Sequence, residues 1–512
     1  MRKCLFFSLL FGMTTLFAKP IQGLGDYDFI GKGYGFFTTP SISKAGVYNP
    51  YVPDLSHIKK EDVLYVSPKG KGSGKSASSP STLHVLLSGG SALQGKSIIA
   101  LDGTYDIHQP IMMENLTHVN IIAQNKWGAK INANGNRVFR MKFSKSGTVV
   151  HDVSIIGFEA YSNHPCTPQT AQNKEFLSNA GTAKGDQTYN IYLADIKWHD
   201  FPLAIYSGLH SHDWTVDRCL YYDASYSYMW YMMGWHHTVM NSVMYNTTYY
   251  ALTIRGSYPL DEFYNYKGGN PPISSRKKHH LSKDDWTHLI INNTFGTNHS
   301  LEREKAEPSQ KAWAHIALFY SLVAGEAEKG KGEIAYYPPQ NVRVYNNAFI
   351  DQTSRRYDQK TKQLIGDGYN RYPFAIMAHQ GVGTGAVDAV NGITFQNNMA
   401  DNNEYLWNSN TQKHEYDIFV SVECPSYHDK KIACAVQGES CSRKRVKMKE
   451  NHIIKIKQFG FDDNKRAYAL NASSSLRDAG SKTLYAPNVD FLGNPRSGVV
   501  DVGAYEYIEV GR

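Results

Sequence analysis

The sequence predicts an all-β solenoid, a coil of short strands, and two observations carry that reading. Residues 189–258 repeat one phrase three times: NIYLADIKWHDFPLAIYSG, HDWTVDRCLYYDASYSYMWYMMG and HHTVMNSVMYNTTYYALTIRG. Each copy holds a short apolar strand, an Asp or Asn, a large apolar residue three positions on, a polar turn, a second strand and a Gly. Asp195, Asp217 and Asn241 are read as the equivalent position, with steps of 22 and 24 residues. That is the length of one solenoid coil. The second observation is length itself. A chain of 512 residues is too long for one conventional globular core, yet no linker or low-complexity tract divides it. A solenoid buries each coil against the next, so its core grows in one dimension.

The elements follow in chain order. Residues 1–18 read as a signal peptide: Arg2 and Lys3 are a basic start, LFFSLLFGM is an apolar core too short for a span, and Ala18 is a cleavage site. The expected product is secreted or periplasmic, with no membrane span. Residues 19–60, rich in Gly, Pro and aromatics, read as an extended arm lying along the body. From Asp62 a strand, the loop GKGSGKSASS and a short helix through LHVLL follow, with Ser81 as the helix cap. The loop lacks the GxxxxGK[ST] spacing, which excludes a nucleotide site. The helix is expected to cover the open end of the first coil, which cannot be left as a bare edge.

The phrase YVSPKGKGSG, continued by GTY at residues 103–105, resembles the opening of secreted right-handed parallel β-helix proteins, the architecture of many polysaccharide lyases. Leu476–Tyr507 (LRDAGSKTLYAPNVDFLGNPRSGVVDVGAYEY) resembles the C-terminal signature of the same broad group. The resemblance implies a right-handed parallel β-helix with an N-terminal capping helix and long loop insertions. It marks fold more than function, because lyases, hydrolases and epimerases share these ends.

Between the ends, the ladder continues at Asn292, Asn346 and Asn397. A carboxamide at a bend can bond the turn backbone and its counterpart one coil away. The residue three on (Trp198, Leu220, Met244, Phe295, Phe349, Ala400) is apolar and assigned to the interior. The later steps of 51, 54 and 51 residues demand an insertion or an extra irregular coil, with candidates at 259–286, 300–312 and 353–373. The expected organisation is a helix body over 61–403, a cysteine-bearing excursion over 404–468 and a terminal cap over 469–512.

Composition narrows the partner. The net charge of +8 is a modest bias toward an acidic ligand, and no basic stripe points to nucleic acid. An acidic polysaccharide fits an exported coil, and 35 tyrosines and 8 tryptophans supply rings suited to sugars. A monomer is expected. Of the six cysteines, Cys4 falls in the leader. Cys219 reads as a small buried hydrophobe, and Cys166, Cys424, Cys434 and Cys441 leave disulfide pairing open.

Period-2 alternation along the second strand of each coil assigns an outward stripe of Tyr206, Trp230, Arg255, His315 and His379. With histidines at the corners, this suits β-elimination on a uronate. That reaction needs a cation on the carboxylate, a base near neutral pKa for the C5 proton and an acid for the leaving oxygen. Arg255 is the candidate clamp. His237, His236 and His315 are candidate bases, and Tyr258 is the candidate acid. Tyr206, Trp230, His212, His379, Lys277 and Lys278 are candidate substrate contacts. No residues are assigned to a metal, and calcium stays open because Asp200, Asp223, Asp261 and Glu262 form no calcium loop. The alternatives are a hydrolase, for which Asp200 and Asp223 occupy nearby turns, a uronate C5-epimerase, and a non-catalytic glycan-binding protein.

Overall fold

The computed structural model describes residues 27–31, 34, 50–56, 58–141, 149–164, 174–179, 187–201, 203–208, 211–224, 229–247 and 250–255. Beyond these it describes the strands and turns of later coils between 288 and 470, and C-terminal segments within 474–507. The signal segment 1–18 and every cysteine except Cys219 lie outside the described residues. Cys219 is buried, and burial pushes its thiol pKa up.

Three parallel sheets of eleven, nine and ten strands wrap one continuous core as a right-handed parallel β-helix. Each coil gives one strand to the first sheet, one to the third and one to the second, in that order. Gln187–Ala194, Lys197–His199 and Leu203–Tyr206 make one such coil. The alternation within strands explains the layering. Ile98, Ile121, Ile155, Leu193, Val216, Val239 and Ile290 pair side by side in the first sheet, and all lie in the core. Burying each such side chain contributes roughly 1.5–3 kcal/mol.

The first sheet passes to the third through one left-handed residue: Asp195, Arg218, Asn241, Asn292, Asn346 and Asn397, all with φ between +50° and +54°. Asn and Asp tolerate this region better than other L-residues. The register corrects the sequence reading at one coil. Ala194, Asp217 and Met240 are paired, so the turn position is Arg218 and both steps are 23 residues. Consequently Tyr221, not Leu220, sits between Trp198 and Met244 in the interior stack. Arg218 tolerates the conformation because its guanidinium reaches Asp195, Asp217 and Tyr192.

The later steps of 51 and 54 residues are single coils, since Asn293, Asn347 and Asn398, next to the turn residues, bond directly coil to coil. Their additional length leaves from the two corners flanking the second sheet, over 256–287 and 321–341 on one side and 297–313 and 351–371 on the other. The solenoid also outruns the expected body. Val420–Glu423, Val446–Lys449 and His452–Ile454 add a further coil inside the stretch read as an excursion. Three- and four-residue strands separated by long segments carry no visible period.

Leu83–Leu87 forms the expected helix, and Leu83 and Leu87 are buried. Its cap is Thr82, whose hydroxyl accepts the Val85 N–H at 3.2 Å. Ser81 instead gives its backbone to Tyr65 and Ser67. Described parts of the arm lie on the outer face of the first sheet. Ile30, Leu55, Tyr34 and Tyr51 pack with Ile99, Ile122 and Ile156. At the far end, Leu476, Val502, Ala504 and Tyr505 pack on Ala348, Ile350 and Met399, along the flank of the third sheet. Among the described residues, no helix is long and apolar enough to cross a membrane.

Candidate functional site

The corner where each coil passes from the second sheet into the first is built from a repeated dipeptide. Successive coils place Thr117-His118, His151-Asp152, Tyr189-Asn190, His212-Asp213 and Trp235-His236 there. The second member is left-handed in every coil, with φ between +54° and +57°. The first members form a column. His151 stacks on Tyr189 at 4.7 Å, Tyr189 on His212 at 5.0 Å and His212 on Trp235 at 5.0 Å, with planes within 11° of parallel. Parallel strands lie ~4.8 Å apart, so the coil spacing itself drives the stacking.

The second members carry the charge. Asp213 bonds His212 Nδ1 at 2.5 Å and faces His236 Nδ1 at 3.6 Å. Burial alone would raise this carboxyl, but the bonds from His212 and His236 outweigh it and hold its pKa well below the usual carboxylate range. Asp152 repeats the arrangement, with His151 Nδ1 at 2.5 Å and His118 Nε2 at 3.5 Å. Asn190, between the two aspartates, donates to Asp152 Oδ1 at 2.9 Å. His212 and His236 keep about a fifth to a quarter of their side chains exposed, so this corner offers imidazole edges to solvent.

The sequence-assigned residues are distributed unevenly around it. His212 stands in the column, and His236 is the polar partner beside its last ring, Trp235. Arg255 closes the strand Leu252–Arg255, whose Ile254 pairs with Met232 one coil earlier. Its backbone therefore lies beside Met233, three residues before His236. Tyr258, Lys277, Lys278, Asp261 and Glu262 belong to the segment that leaves this same corner, and with His379 they lie outside the described residues.

Three assignments are corrected. Trp230 is in the core, fully buried, with its indole N–H on Ser207 Oγ at 2.9 Å. His315 is fully buried between Phe295 and Phe349. His237 is fully buried, bonded through Nε2 to the Met233 carbonyl at 2.5 Å and through Nδ1 to the Trp214 N–H at 3.3 Å. Burial, then the neighbouring His288, pushes its pKa far down, the wrong direction for a surface base. One geometric fact explains both strand errors. Strands of the second sheet open with two consecutive inward residues: Ala204-Ile205, Met229-Trp230, Ala251-Leu252 and His315-Ile316. Strict alternation started from either member mislays the other.

Tyr206 does face outward, in register with Tyr231, and stacks on it at 5.1 Å. Stacked rings spend their faces on each other and present edges, so these columns are hydrogen-bonding rims rather than flat platforms. A second column, Tyr161, His199, Tyr222 and Tyr245, runs along the third sheet. There His199 is held by Glu159 at 3.0 Å and Asp200 at 2.9 Å. Sequence reasoning missed His118, His151, Asp152, Tyr189, Asn190, Asp213 and Trp235. Their signal was a polar pair just before the apolar run of each first-sheet strand (HDV, YNI, HDW), recurring at coil spacing.

No protein-family model matches the chain, and a search of curated proteins gives no match. Solved structures do resemble it. A pectate lyase is 13% identical over 88% of this chain and 98% of its own, with a TM-score of 0.43. A rhamnogalacturonan lyase is 10% identical over 79% and 92%, with a TM-score of 0.39. An alginate lyase solved with a trisaccharide is 11% identical over 92% and 100%, with a TM-score of 0.24. These are likenesses of distant carbohydrate-active β-helix enzymes.

Proposed function

We propose that the chain is an exported carbohydrate-active enzyme that cleaves a uronate-containing polysaccharide by β-elimination at the His212–Asp213–His236 corner. The observation that carries the reading is Asp213, an ionised carboxylate shared by two part-exposed imidazoles at a corner three residues beyond the strand position opposite Arg255. Arg255 pairs with the uronate carboxylate and stabilises the charge that develops as C5 loses its proton. His236, oriented through Nδ1 by Asp213, takes that proton on Nε2. The C5–H electrons form the C4–C5 double bond, the C4–O bond breaks, and Tyr258 protonates the departing oxygen. Ring edges of His212, Trp235 and Tyr206 line the path of the chain, and Lys277 and Lys278 add positive charge from the neighbouring segment.

Hydrolysis has one observation in its favour. Asp152 and Asp213 occupy the same corner position two coils apart, roughly 10 Å by strand spacing, near the upper limit for an inverting pair. An inverting enzyme also needs one carboxyl raised as a general acid. Asp213 is shifted the opposite way, so elimination is preferred.

The test is a panel of alginate, pectate, chondroitin sulfate, dermatan sulfate and hyaluronan, read by the ultraviolet absorbance of the unsaturated product, with and without a chelator. Elimination gives absorbance on at least one polymer, and His236→Ala and Arg255→Ala each lower it about 10²- to 10⁴-fold. New reducing ends without absorbance would establish hydrolysis instead, and retention without either product a binding protein.

A further inference from the structure

The His118, His151 and Asp152 cluster is geometrically distinct from the rest of the corner. His118 Nε2, His151 Nδ1 and an Asp152 carboxylate oxygen all lie within 4.8 Å of one another, the single such trio among the described residues. We propose that this cluster is a binding site for a divalent d-block cation, with zinc as the natural probe, and that it fastens the N-terminal arm to the first coils.

Four features of the cluster support it. The donor set is two imidazoles and one carboxylate, which suits zinc, nickel or copper rather than the all-oxygen shells of calcium and magnesium. Donors sharing one tetrahedral zinc at ~2.0–2.2 Å stand about 3.3–3.5 Å apart, and His118 Nε2 is 3.5 Å from Asp152 Oδ2. The His151 Nδ1–Asp152 Oδ2 contact of 2.5 Å is a hydrogen bond that an ion would open by displacing its proton. The donors are also pre-oriented. His118 and Asp152 sit on left-handed backbone, φ +57° and +54°, and His151 is stacked on Tyr189.

The outer partners have the form expected around metal ligands, which are themselves hydrogen-bonded. Asn190 Nδ2 holds Asp152 Oδ1 at 2.9 Å, leaving Oδ2 for the ion. Tyr51, from the arm, packs on this sheet, and its hydroxyl faces the Asp152 carboxylate. An ion here would therefore tie together three coils and the arm. The access side is provided by His118, whose side chain is 61% exposed, against about a fifth for the other two. The Asp213 cluster has the same composition but does not bring its three donors within that distance, so it serves as an internal control.

The experiment is calorimetric titration of the untagged chain with zinc chloride at pH 7, beside calcium chloride, for wild type, His118→Ala and Asp152→Asn. The first substitution is at an exposed side chain, and the second keeps a residue type that tolerates the left-handed backbone, so both should fold, which circular dichroism checks. Wild type should bind about one zinc that calcium does not displace, and saturating zinc should raise the melting midpoint by a few degrees. Each variant should weaken binding at least tenfold. No zinc uptake by wild type, equal affinity in both folded variants, or equal competition by calcium would overturn the proposal. None of these readouts depends on the polymer cleaved, so they remain interpretable whatever the lyase panel returns.

Discussion

Trp230 and His236 are six residues apart, and their environments separate structure from chemistry. Trp230 is fully buried against Trp214 and His237 and bonds Ser207. Truncating it removes a large packed volume and leaves a cavity. Trp230→Ala should cost about 3–5 kcal/mol, measured as a lower denaturation midpoint, whatever the substrate. His236→Ala removes a part-exposed ring that approaches Asp213 at 3.6 Å. Its stability should change by less than about 1 kcal/mol, so a loss of turnover in this variant reports chemistry. Sequence could not make this distinction, because Trp230 read as an outward strand residue and His236 as a corner histidine, both facing the ligand. The register of two consecutive inward residues separates them.

At the scale of elements, the tight corner between the first and third sheets carries a ladder one residue beyond the one visible in sequence. Asn293, Asn347 and Asn398 are fully buried and linked side chain to side chain at 3.0 Å. Each amide also donates to a backbone carbonyl of the preceding coil: Asn293 to Val239, Asn347 to Ile290 and Asn398 to Val344. Asn347 Oδ1 accepts both the backbone and side-chain N–H of Asn293. Asn347→Leu keeps the volume but strands those donors in the interior. It should destabilise by roughly 3 kcal/mol or more, as unsatisfied buried groups cost about 1–3 kcal/mol each. Equal stability of this variant and wild type in urea would show that the ladder is dispensable. The doubled asparagines NN at 292–293, 346–347 and 397–398 were legible as a repeat. Which of the pair turns outward in left-handed geometry and which stacks inside was not, because both are carboxamides.

Across the whole molecule, polar groups inside the solenoid couple its stability to pH. His288 is buried, and burial, then the charge of His236, lowers its pKa to about 3. His237, one coil away, donates its backbone N–H to His288 Nδ1 and is lowered as well. In the unfolded chain both imidazoles titrate near 6.5. The depressed values mean that the folded state resists protonation. The stabilisation is present above pH 6.5 and is lost as pH falls from 6.5 toward 3. At pH 5 the loss is about 2 kcal/mol for His288 alone, at 1.36 kcal/mol per pH unit. Melting midpoints should therefore drop on acidification below pH 6.5, and His288→Gln should flatten that slope. A pH-independent midpoint between 7 and 5 would contradict neutral buried imidazoles.

The sequence by itself determined the solenoid, its coil length, the helix before the first coil and the apolar lining. These follow from local periodicity and from residue types that repeat along the chain. It also pointed to the corner that carries the rings, since His212 stands in the column and His236 follows its last member, Trp235. Only the tertiary structure decided which side chains meet. His118, Asp152 and His151 come from coils more than thirty residues apart, and Asp213 gathers His212 from its own coil and His236 from the next. Stacking parallel coils at ~4.8 Å turns positions remote in sequence into neighbours. A register slip of one residue, as between Leu220 and Tyr221, exchanges the residue placed in the interior stack. That is why the fold was readable along the chain while the site was readable only across it.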